Sequence, residues 1–284
     1  MEPTIACPSC GATPMERYCG QCGEKRIGEH DLSIRHYAAE MLEIITHLDS
    51  KILRATWELV LHPGALSAYH FSGRRVRYVT PLRLFVVLSV VYFLSSTIYP
   101  NPAFTTPLAI QLHGNNFYPG FAARQVTLAL QHTGWDYATL ERSYDAKTAV
   151  LSKSLLFALI PVFALVFQVL LVRKRRYFSE HMVVATHFWS FALLLIGVFI
   201  PLLLALLAFV GPRVGVPASV LTADAIPTLI LQCIFAIYLF MMLRRVYAVS
   251  YWYSALVAVG IAWSFFFMVW LYRFLLFVVT LRLL

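Results

Sequence analysis

The sequence predicts an all-α integral membrane protein, a helical bundle of about five transmembrane helices with a small N-terminal cytoplasmic zinc ribbon. Three observations carry this reading. Of 284 residues, 60% are hydrophobic and 13% charged, against roughly 45–50% and about 25% in soluble domains, and mean hydropathy is +0.70. The apolar residues gather in runs long enough to cross a bilayer. Two C-x-x-C-G pairs stand near the N-terminus. No pair of soluble domains could hide so much apolar surface, and the same figures exclude disorder, collagen and a disulfide-rich secreted fold.

The ribbon is read over residues 1–30. Cys7-Pro-Ser-Cys10-Gly11 and Cys19-Gly-Gln-Cys22-Gly23 each present two thiols from one tight turn, with a glycine to permit the backbone geometry. Four thiolates close a tetrahedral shell that suits structural Zn²⁺. The eight intervening residues are fewer than the ~15–20 of many ribbons, which allows a cramped hairpin. A disulfide pair and a redox dithiol are the alternatives. Cytoplasmic placement argues against the first, and the doubled motif outside a βαβ context against the second. A closed shell has no open position for substrate, so the metal is expected to fold the segment rather than catalyse. Those first residues also lack the apolar core of a secretory signal.

Residues 31–79 read as a cytoplasmic amphipathic helix and a basic juxtamembrane stretch. Ile34, Ala38, Met41, Ile45, Leu48, Ile52 and Leu59 recur at three- and four-residue steps across Ser33–Leu61. His62-Pro63-Gly64 ends the helix. Its polar face mixes Glu40, Glu43 and Glu58 with Lys51 and Arg54. That favours packing against the bundle over lying on the lipid surface.

The bundle occupies 80–284, with spans at about 81–99, 154–172, 182–210, 226–243 and 252–272, each near the ~20 residues that cross a ~30 Å core. Thr80-Pro81 opens the first as N-cap and first-turn proline. An extracytoplasmic loop covers 100–153, and its Trp135–Lys153 part has helix-compatible spacing that could continue into the second span. The apolar tail after Arg273 either extends the fifth span or lies along the interface. Cys233, alone in the fourth span, reads as a small buried apolar residue.

Residues 154–284 carry nine basic and two acidic side chains. The cations cluster as Arg74, Arg75 and Arg77, as Arg173, Lys174, Arg175 and Arg176, and as Arg244 with Arg245. With five spans all three clusters share one side, the cytoplasm by the positive-inside rule. The N-terminus is then cytoplasmic and the C-terminus outside. Cations beside apolar runs favour topology and anionic lipid headgroups over nucleic acid.

Few ionisable groups lie at membrane depth, where they mark function. Glu180, His181 and His187 are the candidates for an intramembrane or interfacial polar site. Glu180 and His187 share a helix face about 10 Å apart. Two readings stand: an anion or headgroup pocket flanked by Arg173–Arg176, or a proton-linked pair, and against these a helix start in which Glu180 complements the N-terminus and His187 hydrogen-bonds a neighbouring helix. The turns Arg175-Arg176-Tyr177 and Arg244-Arg245-Val246-Tyr247 also suggest a weak parallel repeat.

Several segments together resemble one family. They are Cys19-Gly-Gln-Cys22-Gly23-Glu24-Lys25, His47-Leu48-Asp49-Ser50-Lys51, His62-Pro63-Gly64, the run from Tyr69 through Gly73-Arg74-Arg75 to Tyr78, Pro81-Leu82-Arg83, and Arg176-Tyr177-Phe178-Ser179-Glu180-His181. The family is the bacterial membrane proteins grouped as domain of unknown function 3667. The likeness is dense over about 7–100 and patchier over 154–195. It implies a zinc ribbon and a multipass protein of the bacterial inner membrane, and it supplies no catalytic residues.

Three functions are weighed. An interaction or regulatory membrane protein would use the ribbon to recruit a cytoplasmic protein partner. A small-solute or lipid transporter would have its path near the third span, but the spans lack the Asp and Glu of ion-coupled carriers. A membrane-embedded lipid-modifying enzyme would need a nucleophile–base constellation, and none stands out, so enzymatic activity is not favoured. The first reading leads.

Overall fold

The computed structural model describes residues 50–74, 78–99, 103–113, 117–210 and 225–284, with isolated positions elsewhere. The chain divides into two compact units, Met1–Leu53 and Arg54–Leu284. Nearly all of the first lies outside the described residues, and so does most of the expected ribbon and amphipathic helix.

The second unit begins with α1, helical through 54–61, and α2 (Ala65–Phe71). Then come α3 (Pro81–Ile98), α4 (Leu108–His113), α5 (Pro119–Thr133) and α6 (Tyr137–Leu170). α7 (Phe178–Leu194) continues through a π turn, Leu195–Phe199, into α8 (Ile200–Val210). α9 (Ala225–Tyr247) and α10 (Tyr251–Arg282) complete the chain. No strand occurs among the described residues. Among the described residues, five helices are long and apolar enough to cross a membrane: Pro81–Ile98, Tyr137–Leu170, Phe178–Val210, Thr228–Tyr247 and Tyr251–Arg282.

Three of these overshoot the bilayer, the 33-residue Phe178–Val210 span among them. α6 has 34 residues and α10 has 32, so at 1.5 Å per residue they run to about 50 Å, well beyond a ~30 Å core. The helix expected over Trp135–Lys153 is the first half of α6. The tail after Arg273 continues α10. Their protruding ends meet α4 and α5 around a second small core of Leu108, Tyr118, Ala122, Val126, Leu140, Tyr144 and Phe277. Tyr118 donates to Gln111 Oε1 at 2.5 Å, and Gln111 Nε2 donates to Tyr144 Oη at 3.3 Å. The long loop is therefore a helical cap.

The main core centres on α7, buried from Val184 through Leu194. Phe188 stacks on Phe163 at 5.0 Å, Phe191 stacks on Tyr238 at 3.7 Å, and Trp189 and Phe265 close the cluster. In the π turn, a Cβ on Gly197 would stand 2.8 Å from the Tyr92 ring and 3.1 Å from its Cα. Glycine is what lets α3 approach there. Cys233 departs from its expected burial and is exposed on the bundle surface. In a bilayer that surface faces lipid, which solvates a small apolar side chain as well as a protein core does.

The basic loops gather at one end. Lys174 Nζ donates to Ala248 O (3.0 Å), linking the α6–α7 and α9–α10 turns. Arg245 Nη1 donates to Pro63 O (3.1 Å), and Tyr238 Oη to Leu59 O (3.0 Å), seating the α1–α2 hairpin on α9. Gly64 makes that seat possible. Its φ is +80°, and a Cβ there would meet the Met242 backbone at 3.0 Å. Ala55 and Leu59 lie in the core, so this end of the amphipathic segment packs on protein.

The two turns each place one left-handed residue at the same distance before the next helix, but not in the expected motif register. Arg175 and Ala248 both take φ +48°, and each lies two residues before its helix N-cap, Tyr177 or Ser250. Tyr177 is exposed at the start of α7, whereas Tyr247 is buried at the end of α9. The basic-Tyr repeat therefore does not align in space.

Candidate functional site

The α1–α2 hairpin carries Ser67 into the bundle, where it is fully buried. Its Oγ lies 2.8 Å from Nδ1 of His187, nine residues into α7. His70 follows one helical turn after Ser67, and Arg74 comes just beyond the end of α2. His70, Arg74, Tyr78, Thr80 and His187 line one pocket, with Leu66, Val79 and Pro81 as its apolar wall. Its empty volume is about 350 Å³, open mouth included.

Aromatic rings hold its rim. Tyr69 and Tyr78 stack at 5.4 Å with their rings nearly parallel, and the Arg74 guanidinium stands 5.9 Å from the Tyr69 ring centre. Tyr69 Oη donates to Glu58 Oε1 (3.2 Å). Burial first, and then the Glu58 carboxylate, hold the Tyr69 phenol above its ordinary pKa, so it remains a donor at neutral pH. The Pro-opened start of α3 supplies Thr80 in extended conformation. With Ser67 on Nδ1, Nε2 is the ring atom that His187 can offer to an occupant. The residues that line it carry one guanidinium, two imidazoles, a phenol and a hydroxyl among apolar neighbours, a set suited to an anion.

The other candidates are spoken for elsewhere. Glu180 accepts from the Tyr177 N–H (2.9 Å) and from Arg176 Nη1 (2.6 Å), a capping box at the α7 start. Arg176 also stands 5.7 Å from the Phe71 ring centre. His181 Nδ1 pairs with Tyr247 Oη at 2.8 Å, ring stacked on ring. Glu180, His181 and His187 therefore have separate partners on one helix. Arg244 lies over the Tyr251 ring, and Arg245 and Lys174 brace loops as described above. Arg173 and Arg175 are exposed, and Arg75 and Arg77 lie outside the described residues.

Of the four cysteines, Cys10 alone is described, as exposed; Cys7, Cys19 and Cys22 lie outside the described residues. Among the described residues no group of three or more His, Cys, Asp or Glu is placed to hold a metal. The donor chemistry of the four thiols fits zinc.

Ser67, His70 and Tyr78 were not singled out from the sequence. His70 and Tyr78 lay inside the resemblance motif, and Ser67 and His70 at i, i+3 share a helix face, but nothing local pairs Ser67 with a residue 120 positions away.

Residues 49–93 match a family described as protein of unknown function, DUF3667. That is the family the sequence resembles. The DUF3667 match covers the α1–α2 hairpin, the Tyr69–Tyr78 rim and most of α3, and so every pocket residue except His187. The expected ribbon and Arg176–His181 lie outside the matched residues. No curated protein and no solved structure matches the chain.

Proposed function

We propose that this is a bacterial inner-membrane protein that recognises a phosphate-bearing anion at its cytoplasmic face and acts as an interaction or regulatory protein. In this reading the N-terminus is cytoplasmic, the C-terminus is outside, and Cys7, Cys10, Cys19 and Cys22 hold a structural zinc that folds a partner-binding ribbon. One observation carries it. The Ser67–His187 contact brings a buried histidine of the third span to a pocket that the DUF3667 segment lines with His70, Arg74 and Tyr78. The gathering of Arg74, Arg173–Arg176, Arg244 and Arg245 at that end supports the orientation.

Full-length protein in detergent should bind inorganic phosphate, read as a ligand-dependent rise in unfolding temperature. Arg74→Ala should weaken it about ten- to a hundredfold, the worth of a charge-assisted hydrogen bond. Equal binding by Arg74→Ala and the parent would overturn the reading. A solute path along the third span is disfavoured, because α7 is packed on all sides from Val184 to Leu194.

The lipid-modifying enzyme gains one observation. Ser67 Oγ and His187 Nδ1 stand at nucleophile–base distance. Ser67 is fully buried and does not line the pocket, so the contact is read as positioning His187. Phosphate binding retained by Ser67→Ala, together with loss of a lipid-directed reaction in the same variant, is the result that would promote the enzyme.

A further inference from the structure

We infer that the anion recognised here is the phosphate of a glycerophospholipid, whose acyl chain lies in a groove between α3, α6 and α7 open to the bilayer. This rests on the phosphate reading of the first pocket. A second cavity, with an empty volume of about 810 Å³ including its open side, shares His70, Thr80 and Pro81 with the first. Beyond that shared wall its lining turns to hydrocarbon: Leu82, Phe157, Ile160, Pro161, Met182 and Val183.

The remaining lining residue, Thr186, spends its hydroxyl on its own helix, donating to Met182 O at 2.7 Å. No Asp or Glu lines either cavity among the described residues. Leu82 and Phe157 on the rim are 56% and 40% exposed, so the groove opens sideways.

Depth matches the occupant. Met182 and Thr186 lie four and eight residues after the α7 start at Phe178. Pro161 lies nine before the end of α6 at Leu170. At 1.5 Å per residue these positions sit about 6–14 Å in from the helix ends at the basic loops, within one ~15 Å leaflet. A headgroup phosphate at Arg74 and His70 is therefore continuous with a chain running into that leaflet. A soluble phosphate would fill the pocket and leave the groove unused.

The test compares two probes on full-length protein in detergent: dioleoylphosphatidylglycerol, followed by native mass spectrometry, and glycerol 3-phosphate, followed by thermal shift. The lipid should bind at least tenfold more tightly. Val183→Trp, which fills the groove, and Leu82→Asp, which puts a charge on its rim, should each weaken the lipid about tenfold or more. Both should leave glycerol 3-phosphate unchanged, which also certifies their fold. Arg74→Ala should weaken both probes. If both groove variants bind the lipid as the parent does while Arg74→Ala loses both probes, the acyl-groove inference falls and the pocket stands. If Arg74→Ala loses neither, the pocket reading falls and the groove inference with it.

Discussion

His187 Nδ1 lies 2.8 Å from Ser67 Oγ, and both side chains are buried. This contact ties the third span to the α1–α2 hairpin and orients the imidazole toward the polar pocket. Removing the hydroxyl strands a buried nitrogen. Ser67→Ala should destabilise the protein by about 1–3 kcal/mol, read as earlier thermal unfolding in detergent, while Ser67→Thr should recover part of the loss. Unchanged unfolding of Ser67→Ala would show that the contact holds nothing.

Gly197 and Gly260 make a matched pair. A methyl on Gly197 meets the Tyr92 ring at 2.8 Å, whereas one on Gly260 meets nothing within 4 Å. Gly197→Ala should cost about 1–3 kcal/mol by overpacking, and Gly260→Ala should be neutral or slightly stabilising through helix propensity. Equal unfolding temperatures for the two variants would contradict the close approach of α3.

Tyr118, in the helical cap, has its phenol pushed up to about 12 by burial, with the Arg273 charge pulling the other way. A folded-state pKa above the unfolded value of about 10 favours the protonated form. Its stabilising contribution is thus complete below about pH 10 and is lost as pH rises toward about 12. Unfolding temperature measured across that window should fall, and less steeply in Tyr118→Phe. The same slope in both proteins would assign the alkaline loss to other groups.

Purified protein should contain about one zinc per chain, lost when Cys7 and Cys19 become Ser. Metal analysis decides this, and zinc that survives the double change would remove the ribbon.

A periplasm-active phosphatase fused after Leu284 should be active, and one fused after Arg176 silent. The reverse pattern would invert the orientation.

Much of the architecture was legible in the chain itself. Hydropathy located five crossing helices because lipid demands long, internally hydrogen-bonded apolar segments, a constraint written locally. Thr80-Pro81 marked where α3 begins, and His62-Pro63-Gly64 where the α1 helix ends. Helix continuation through Trp135–Lys153 was visible as periodicity. Less visible was where these helices turn their faces. Cys233 sits outside, because lipid-facing and protein-facing positions are alike apolar and hydropathy cannot separate them. The registers of the two basic turns likewise differ although their motifs look alike.

By itself, then, the sequence determined a basic-ended bundle of membrane-crossing helices, through composition and local pattern. Tertiary structure alone decided that Ser67 meets His187, that Arg74 rather than Arg173–Arg176 shares its pocket, and that an apolar groove adjoins it. Those are contacts between residues far apart in the chain, set by how α2, α3, α6 and α7 pack, and no local preference of any one of them encodes the meeting.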